Sequence, residues 1–329
     1  MDRPAGRDWH TVATVRGPAT DERATLATTR LPGANPMPHH DRDRTSIGGG
    51  ATAAPCVAAL AALALAACHA RSAPAAPPVD NPATATARCD AGELAGCVER
   101  CQRGAMDLCY ALGVAYGTAD DGAPADVATA MPYLERACGG GVAAACYLAG
   151  YHLDVGDGIA ADPARARALY DRACAARVAD GCGALGLMYQ DARGGPGDDG
   201  RAVALYRAAC DAGRYGYCNN LGRMYKYGRG VPQDYAQAAR LFAHACDHDD
   251  LLSCNNLGVL VEHGLGARVD YARARALYLR ACEGDEPLGC YNLGVLHADG
   301  HGVPADPEAA RAWFTRACTA GVAEACDAP

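Results

Sequence analysis

Apolar residues recur along this chain in a register that can be counted from Cys138, Cys174, Cys210, Cys246, Cys282 and Cys318. Four residues before each stand Leu134, Tyr170, Tyr206, Phe242, Tyr278 and Phe314; five before stand Tyr133, Leu169, Leu205, Leu241, Leu277 and Trp313. Eight before, the residue is always alanine: Ala130, Ala166, Ala202, Ala238, Ala274 and Ala310. Two bulky residues side by side, with a small one a turn away, predict a helix with one apolar stripe and one wet face. A second helical pattern carries Leu185, Leu221, Leu257 and Leu293, each followed by a glycine (Gly186, Gly222, Gly258, Gly294), with Tyr189 and Tyr225 a turn later. Glycine inside a helix costs roughly 1 kcal/mol against alanine, so its recurrence predicts close contact with a neighbouring helix. Segments such as "YGRGVPQD" (227–234) and "DGHGVPAD" (299–306) join the helices, their Gly, Pro and Asp stopping one and capping the next. The unit containing "DARGGPGDDG" (191–200) lacks the valine of this loop, which predicts a looser turn.

The cysteine spacing never slips. Successive members of the six lie 36 residues apart, and each has a companion eight residues on, giving Cys138/Cys146, Cys174/Cys182, Cys210/Cys218, Cys246/Cys254, Cys282/Cys290 and Cys318/Cys326. Cys89/Cys97 and Cys101/Cys109 repeat the internal spacing, which accounts for sixteen of the 18 cysteines and leaves Cys56 and Cys68. On one unbroken helix, residues eight apart lie about 12 Å from each other, beyond the roughly 7 Å limit for a disulfide. Bridged doublets therefore require a turn between their members. Gly141, Gly213 and Gly321, three residues after the first cysteine, are suited to stop a helix there. Zinc sites draw on closer C-x₂₋₄-C pairs and thioredoxin-like sites on C-x-x-C, and neither pattern is present. Constant spacing points to pairing within each doublet, although sequence alone leaves connectivity open.

Composition sharpens this picture. Two Phe, two Trp and six Met in 329 residues make a sparse core, so rigidity has to come from elsewhere. The formal charge is −8, with one lysine (Lys226) and no clustered basic face, which argues against nucleic acid as a partner. The apolar run "ATAAPCVAALAALALAAC" has the length of a signal-peptide core and is too short and alanine-rich for a comfortable membrane span. Its end, Leu65-Ala66-Ala67-Cys68, resembles the lipobox of bacterial lipoproteins, and a Pro/Ala-rich linker follows. That resemblance implies cleavage before Cys68, lipidation of its sulfur, and an exported chain held at the cell envelope, in the periplasm or at the outer membrane. An even cysteine count in that compartment reads as a disulfide framework. Because fifty residues precede the run, Met37 is the expected true start.

The stretches "NNLGRMYKYGRGVPQDYAQAARLFAHAC" and "YNLGVLHADGHGVPADPEAARAWFTRAC" resemble Sel1-like repeats, and the cysteine doublets resemble the Helicobacter cysteine-rich protein subgroup. The resemblance covers about residues 89 to 326. It implies an all-α fold: an α/α superhelical solenoid of TPR-like helix-turn-helix units, right-handed, in which each disulfide ties the second helix of one repeat to the first helix of the next. The expected organisation is an extension and signal peptide over 1–67, a Pro/Ala linker over 68–88, an abbreviated cap over 89–105, and six repeats with a short C-terminal cap over 106–329.

Members of that subgroup have been described as penicillin-binding proteins or slow β-lactamases, which sets the alternative reading as a hydrolase. Serine chemistry of that kind needs S-x-x-K. The chain has three serines, Ser46, Ser72 and Ser253, and Arg223 stands where a serine would have to precede Lys226. No H-x-H-x-D box occurs; His244/His248 and His297/His301 are expected in solvated or capping roles rather than as ligands. No catalytic residue, metal or cofactor is expected, and oxidised cysteines are not nucleophiles. What the repeats offer instead is a ladder: Asn220, Asn256 and Asn292 share one column on successive first helices, beside Asn219 and Asn255. An amide donates and accepts, which suits it to gripping a peptide backbone. Tyr217, Tyr225, Tyr227 and Tyr291 lie near this column and offer contact area. The same column would equally serve bonds within or between repeats. The expected function is a non-catalytic, lipid-anchored scaffold for protein or peptide partners.

Overall fold

The computed structural model describes residues 94–118 and 125–328. The signal segment, Met37, Cys56, Cys68, the linker and Cys89 lie outside the described residues. Two compact units divide at residue 233/234. The first holds α1 (Leu94–Gln102), α2 (Met106–Gly117), α3 (Val127–Gly139), α4 (Ala143–Val155), α5 (Pro163–Ala175), α6 (Ala179–Gln190), α7 (Asp199–Asp211) and α8 (Tyr215–Tyr227). The second holds α9 (Tyr235–Asp247), α10 (Leu251–Glu262), α11 (Tyr271–Glu283), α12 (Pro287–Asp299), α13 (Pro307–Thr319) and the single turn α14 (Ala323–Cys326). Every regular element among the described residues is a helix. Within each unit, every helix packs on the one before and the one after it.

The 36-residue register dictates where helices begin. Asp126, Asp162, Asp198, Asp234, Asp270 and Asp306 stand at the N-caps of α3, α5, α7, α9, α11 and α13, each side chain accepting a backbone N–H of the first turn. Pro at the first helical position of α5 and α13 costs nothing, because that N–H has no partner in a helix anyway.

The turn inside each doublet is equally regular. Gly104, Gly141, Gly213 and Gly321 adopt positive φ, as the helix-stop reading expects, but so do Arg177, Asp249 and Asp285 in the same column. The backbone path is therefore set by the turn and not by glycine. A side chain in this left-handed region carries a strain of roughly 1–2 kcal/mol. Replacing Arg177 with glycine is expected to raise stability by about 0.5 kcal/mol, the relief being partly offset by the freer unfolded chain. Denaturant midpoints of Arg177→Gly and the parent check this.

These turns bring the cysteines together, and the connectivity that the spacing left open is the one within each doublet. Among the described residues the disulfides are Cys101–Cys109, Cys138–Cys146, Cys174–Cys182, Cys210–Cys218, Cys246–Cys254, Cys282–Cys290 and Cys318–Cys326, joining residues whose Cα atoms are 4.4–4.9 Å apart. Cys97, whose expected companion Cys89 is outside the described residues, is also buried and disulfide-bonded. Counting repeats from α2, each bridge from Cys138–Cys146 onward ties a repeat's second helix to the next first helix. Cys101–Cys109 does the same for the leading helix α1 and α2, so the abbreviated cap is stapled like a full repeat.

The core follows the columns. Leu134, Tyr170, Tyr206, Phe242, Tyr278 and Phe314 are buried, and so is every alanine of the small column. The adjacent bulky column, from Tyr133 to Trp313, is only half-buried and forms the rim of the apolar stripe. Close helix approach at the recurring glycines is also observed. A Cβ on Gly186 would meet the ring of Tyr206 at 2.8 Å, one on Gly258 the ring of Tyr278 at 2.5 Å, and one on Gly294 the ring of Phe314 at 2.5 Å.

The turn expected to be loose is not. Arg167 Nη1 donates to Pro196 O at 3.0 Å, Arg193 N to Met188 O at 2.9 Å, and Asp198 N to Tyr189 O at 3.0 Å. Arg193 Nη1 also reaches Asp154 Oδ1 at 2.6 Å. Side-chain bonds substitute there for the missing valine.

Candidate functional site

The two asparagine columns meet at one place between successive repeats of the second unit. On α12, Asn292 Nδ2 donates to Asn255 Oδ1 of α10 at 2.8 Å, a rung that joins residues 37 apart. Asn219 and Asn256 also have partners. Applied to Asn220 on α8, the same offset lands on Gly183 of α6, which has no side chain to offer. The ring of Tyr217 fills that place, so closely that a Cβ on Gly183 would overlap it. Asn220 is 3% exposed and its Nδ2 has no hydrogen-bond partner.

Asn220 borders a shallow hollow open to solvent, with Gln190, Arg223, Met224, Tyr227 and Arg229. Gln190 Oε1 accepts the phenol proton of Tyr206 at 2.9 Å, so the amide nitrogen is the group Gln190 has left, with a 3.5 Å contact to Asp191. Burial pushes the Tyr206 phenol far up, which keeps it a donor. Arg229 is held by Asp199 through bonds of 2.8 and 3.1 Å. Tyr227, 43% exposed, and Met224 give the hollow an apolar side.

The tyrosines expected near the ladder separate into different environments. Tyr217 is half-buried and stacks on Tyr206 with centroids 6.1 Å apart; burial is the main cause raising its pKa. Tyr291 packs against Phe314 at 5.6 Å and is raised by burial first and Glu324 second. Tyr225 accepts a bond of 2.6 Å from Arg207 Nη2 near the surface.

Residues with other chemistry are placed apart from any such site. Ser253 is fully buried at the start of α10, its N–H capped by Asp250. Lys226 Nζ lies 5.0 Å from the Tyr227 ring. His248 Nδ1 is 2.8 Å from the carbonyl of His244 one turn earlier, and His301 stacks on Tyr271 at 4.9 Å. Among the described residues no group of three or more His, Cys, Asp or Glu is arranged to hold a metal ion, and no helix is long and apolar enough to cross a membrane.

The recurring architecture matches a known family model, that of the Sel1 repeat, six times in succession: 107–142, 143–177, 179–213, 217–250, 251–286 and 287–322. The chain belongs to the Sel1 repeat family. Its structure resembles that of c5321, a protective antigen of uropathogenic Escherichia coli strains displaying an SLR fold, at 27% identity and a TM-score of 0.64, over 70% of this chain and 50% of that one. It also resembles a Sel1 repeat protein from Oxalobacter formigenes, at 25% identity and a TM-score of 0.61, over 70% of this chain and 66% of that one. This chain thus spans half of the first relative and just under two thirds of the second. A comparison with curated proteins found no match.

The Sel1 repeats contain an element that the apolar and cysteine columns do not announce. Two residues before the first cysteine, Arg136 donates to Gln102 O at 2.7 Å and Cys101 O at 3.2 Å, Arg172 to Cys138 O at 2.7 Å, and Arg316 to Cys282 O at 2.8 Å. Arg280 turns to Asp249 at 2.9 Å, one turn from the same helix end. Each guanidinium sits at the C-terminal end of the preceding repeat's helix, facing the negative end of its dipole; the carbonyls of Cys101, Cys138 and Cys282 accept it in addition to a backbone N–H of the turn. The signal was an arginine in four of the six repeats at that column, with Ala208 and His244 in the other two.

One buried histidine is expected to make the stability of this chain depend on pH. His152 on α4 is 3% exposed, neither ring nitrogen has a hydrogen-bond partner, and burial lowers its pKa, only partly opposed by Asp157. The folded state therefore keeps the ring neutral while the unfolded chain takes up a proton near pH about 6.5. This contribution is fully present above that pH and is lost as pH falls from there toward the lowered folded value. His152→Leu is expected to flatten the stability profile between pH about 7.5 and 5, read from urea midpoints.

Proposed function

We propose that this Sel1 repeat protein is a non-catalytic, lipid-anchored scaffold of the bacterial cell envelope, in the periplasm or at the outer membrane, that binds protein or peptide partners on its repeat surface. The observation that carries the reading is the cysteine framework, in which the described cysteines are joined in disulfides, a state suited to an oxidising compartment. The Leu65-Ala66-Ala67-Cys68 sequence supplies the anchor, and repeated helices supply an extended surface with side chains at fixed spacing. A hydrolase reading finds no support in Ser253, which is buried away from any substrate.

Two measurements test this. Mass analysis of the native protein from membranes is expected to show an N-terminal, diacylated Cys68; a free, unprocessed leader removes the anchor. Cross-linking followed by pull-down from an envelope extract is expected to retain a defined partner, lost when the disulfides are reduced. Sustained nitrocefin turnover by the purified oxidised protein, absent from a buffer control, overturns the non-catalytic reading.

A further inference from the structure

We propose that Tyr189 is a nucleophilic phenol that accepts an acyl group from an activated acyl donor, set apart from the other tyrosines of the chain by the guanidiniums of Arg167 and Arg201. Arg201 Nη1 donates to the phenol oxygen at 2.7 Å. The guanidinium carbon of Arg167 lies 3.8 Å from the centroid of the same ring, and that of Arg201 5.4 Å. Cations placed against a phenol in this way favour its ionised form. Hydrogen bonding from Arg167, and then from Arg201, holds the phenol below the usual tyrosine range, and burial opposes this too weakly to reverse it. Asp198 shares Arg201, its Oδ2 lying 3.4 Å from Nε, and leaves Nη1 on the phenol. That flank is open to a reagent, since the Arg201 side chain is 66% exposed.

The arrangement is particular to this repeat. Arg167 stands 22 residues before Tyr189 and Arg201 twelve after it, whereas around Tyr225, in the same column one repeat on, those offsets fall on Val203 and Gln237. The loop that lacks the valine pins Arg167 in place. Arg167 Nη1 donates to Pro196 O at 3.0 Å, and a Cβ on Gly195 would come within 2.7 Å of that nitrogen, so a glycine there leaves the guanidinium its room. In the acyl transfer the phenolate oxygen attacks the acyl carbon and forms the new O–C bond. The bond from that carbon to the leaving group breaks, its electron pair departs with the leaving group, and the phenol proton has gone to water. The product is one aryl ester per chain, a modification and not a turnover, so the site goes beyond the scaffold reading and does not depend on it.

The test treats the full-length oxidised protein with N-acetylimidazole, whose acetyl group is transferred as imidazole leaves, and follows each tyrosine separately by peptide mass mapping. Tyr189 is expected to be acetylated about fivefold faster than Tyr225, which accepts a bond from Arg207, and than Tyr227, which is 43% exposed with Lys226 Nζ 5.0 Å from its ring. Arg167→Gln and Arg201→Gln are each expected to slow Tyr189 about threefold. A charge-assisted hydrogen bond raises the phenolate population roughly tenfold, and part of that gain is returned as the lower nucleophilicity of a stabilised oxygen. The Tyr189 rate is also expected to level off at a lower pH than that of free N-acetyltyrosine amide, the mark of a phenol kept ionised by its neighbours. The proposal is overturned if Tyr189 reacts no faster than Tyr225 and Tyr227, if neither arginine variant slows it, or if its rate follows the free amide across pH. The comparison among tyrosines is made within the parent protein, so it decides the matter even where an arginine variant fails to fold.

Discussion

Complete reduction under native conditions is expected to abolish the cooperative unfolding transition and most of the helical circular dichroism at about 25 °C, while the oxidised protein is expected to keep both. Each bridge closes a loop of about nine residues and contributes roughly 2–3 kcal/mol in the chain-entropy model. Seven such bridges among the described residues, from Cys101–Cys109 to Cys318–Cys326, come to about 14–21 kcal/mol, at or above the top of the roughly 5–15 kcal/mol by which a domain is ordinarily stable. The remaining interactions do not replace them. A repeat touches only its neighbours, and beyond one buried large residue per repeat in the column from Leu134 to Phe314 the contacts fall largely to alanines and half-buried side chains. Removing one doublet, with Cys174→Ala and Cys182→Ala together, is expected to cost about 2–3 kcal/mol and to raise hydrogen exchange first in α5 and α6, which that bridge joins. A reduced protein that keeps its midpoint within experimental error would show that packing alone holds the repeats.

Gly258→Leu is expected to be the most damaging single substitution outside the cysteines. The Tyr278 ring lies against the α10 backbone at this glycine, so even a Cβ must displace it, and the ring is fully buried with its hydroxyl donating to Glu262 Oε2 at 2.7 Å. Moving the ring therefore disturbs packing and also withdraws a donor from a carboxylate that is itself 7% exposed. Overpacking costs about 1–3 kcal/mol, and a buried carboxylate left short of a partner adds about 1–3 kcal/mol. Gly258→Ala, whose Cβ displaces the ring less, is expected to show a smaller loss of the same kind. Urea unfolding of the oxidised variants, with near-ultraviolet circular dichroism reporting on Tyr278, measures both. Equal midpoints for parent and Gly258→Leu would mean that the helices separate at no cost.

Tyr278 also shows why part of the polar core was readable and part was not. Where the aromatic column holds tyrosine, the residue sixteen earlier is an acceptor: Asp154 before Tyr170, Gln190 before Tyr206, Glu262 before Tyr278. Where it holds phenylalanine, at Phe242 and Phe314, that residue is Lys226 or Ala298. The Tyr206–Gln190 and Tyr278–Glu262 bonds give this correlation its cause, a phenol hydroxyl that burial obliges to find a partner. The rule lies in the sequence, but nothing there says that positions sixteen apart meet. Asn220 was legible as a member of a column and as a candidate binding residue. Its burial, its missing partner and its place beside Arg229 were not, because each depends on a different stretch of chain.

From its sequence alone the protein's helix pairs, their 36-residue period, the capping aspartates, the close-contact glycines and the cysteine doublets follow, since all are local signals repeated until chance is excluded. Tertiary structure decided what the period conceals: that Arg177, Asp249 and Asp285 take the same left-handed turn as glycine, that Arg136, Arg172 and Arg316 clasp the preceding repeat, and that one asparagine loses its rung to Gly183. A local pattern fixes which face of a helix is apolar, whereas the pairing of polar atoms 34 to 37 residues apart is set by how one repeat is seated on the next.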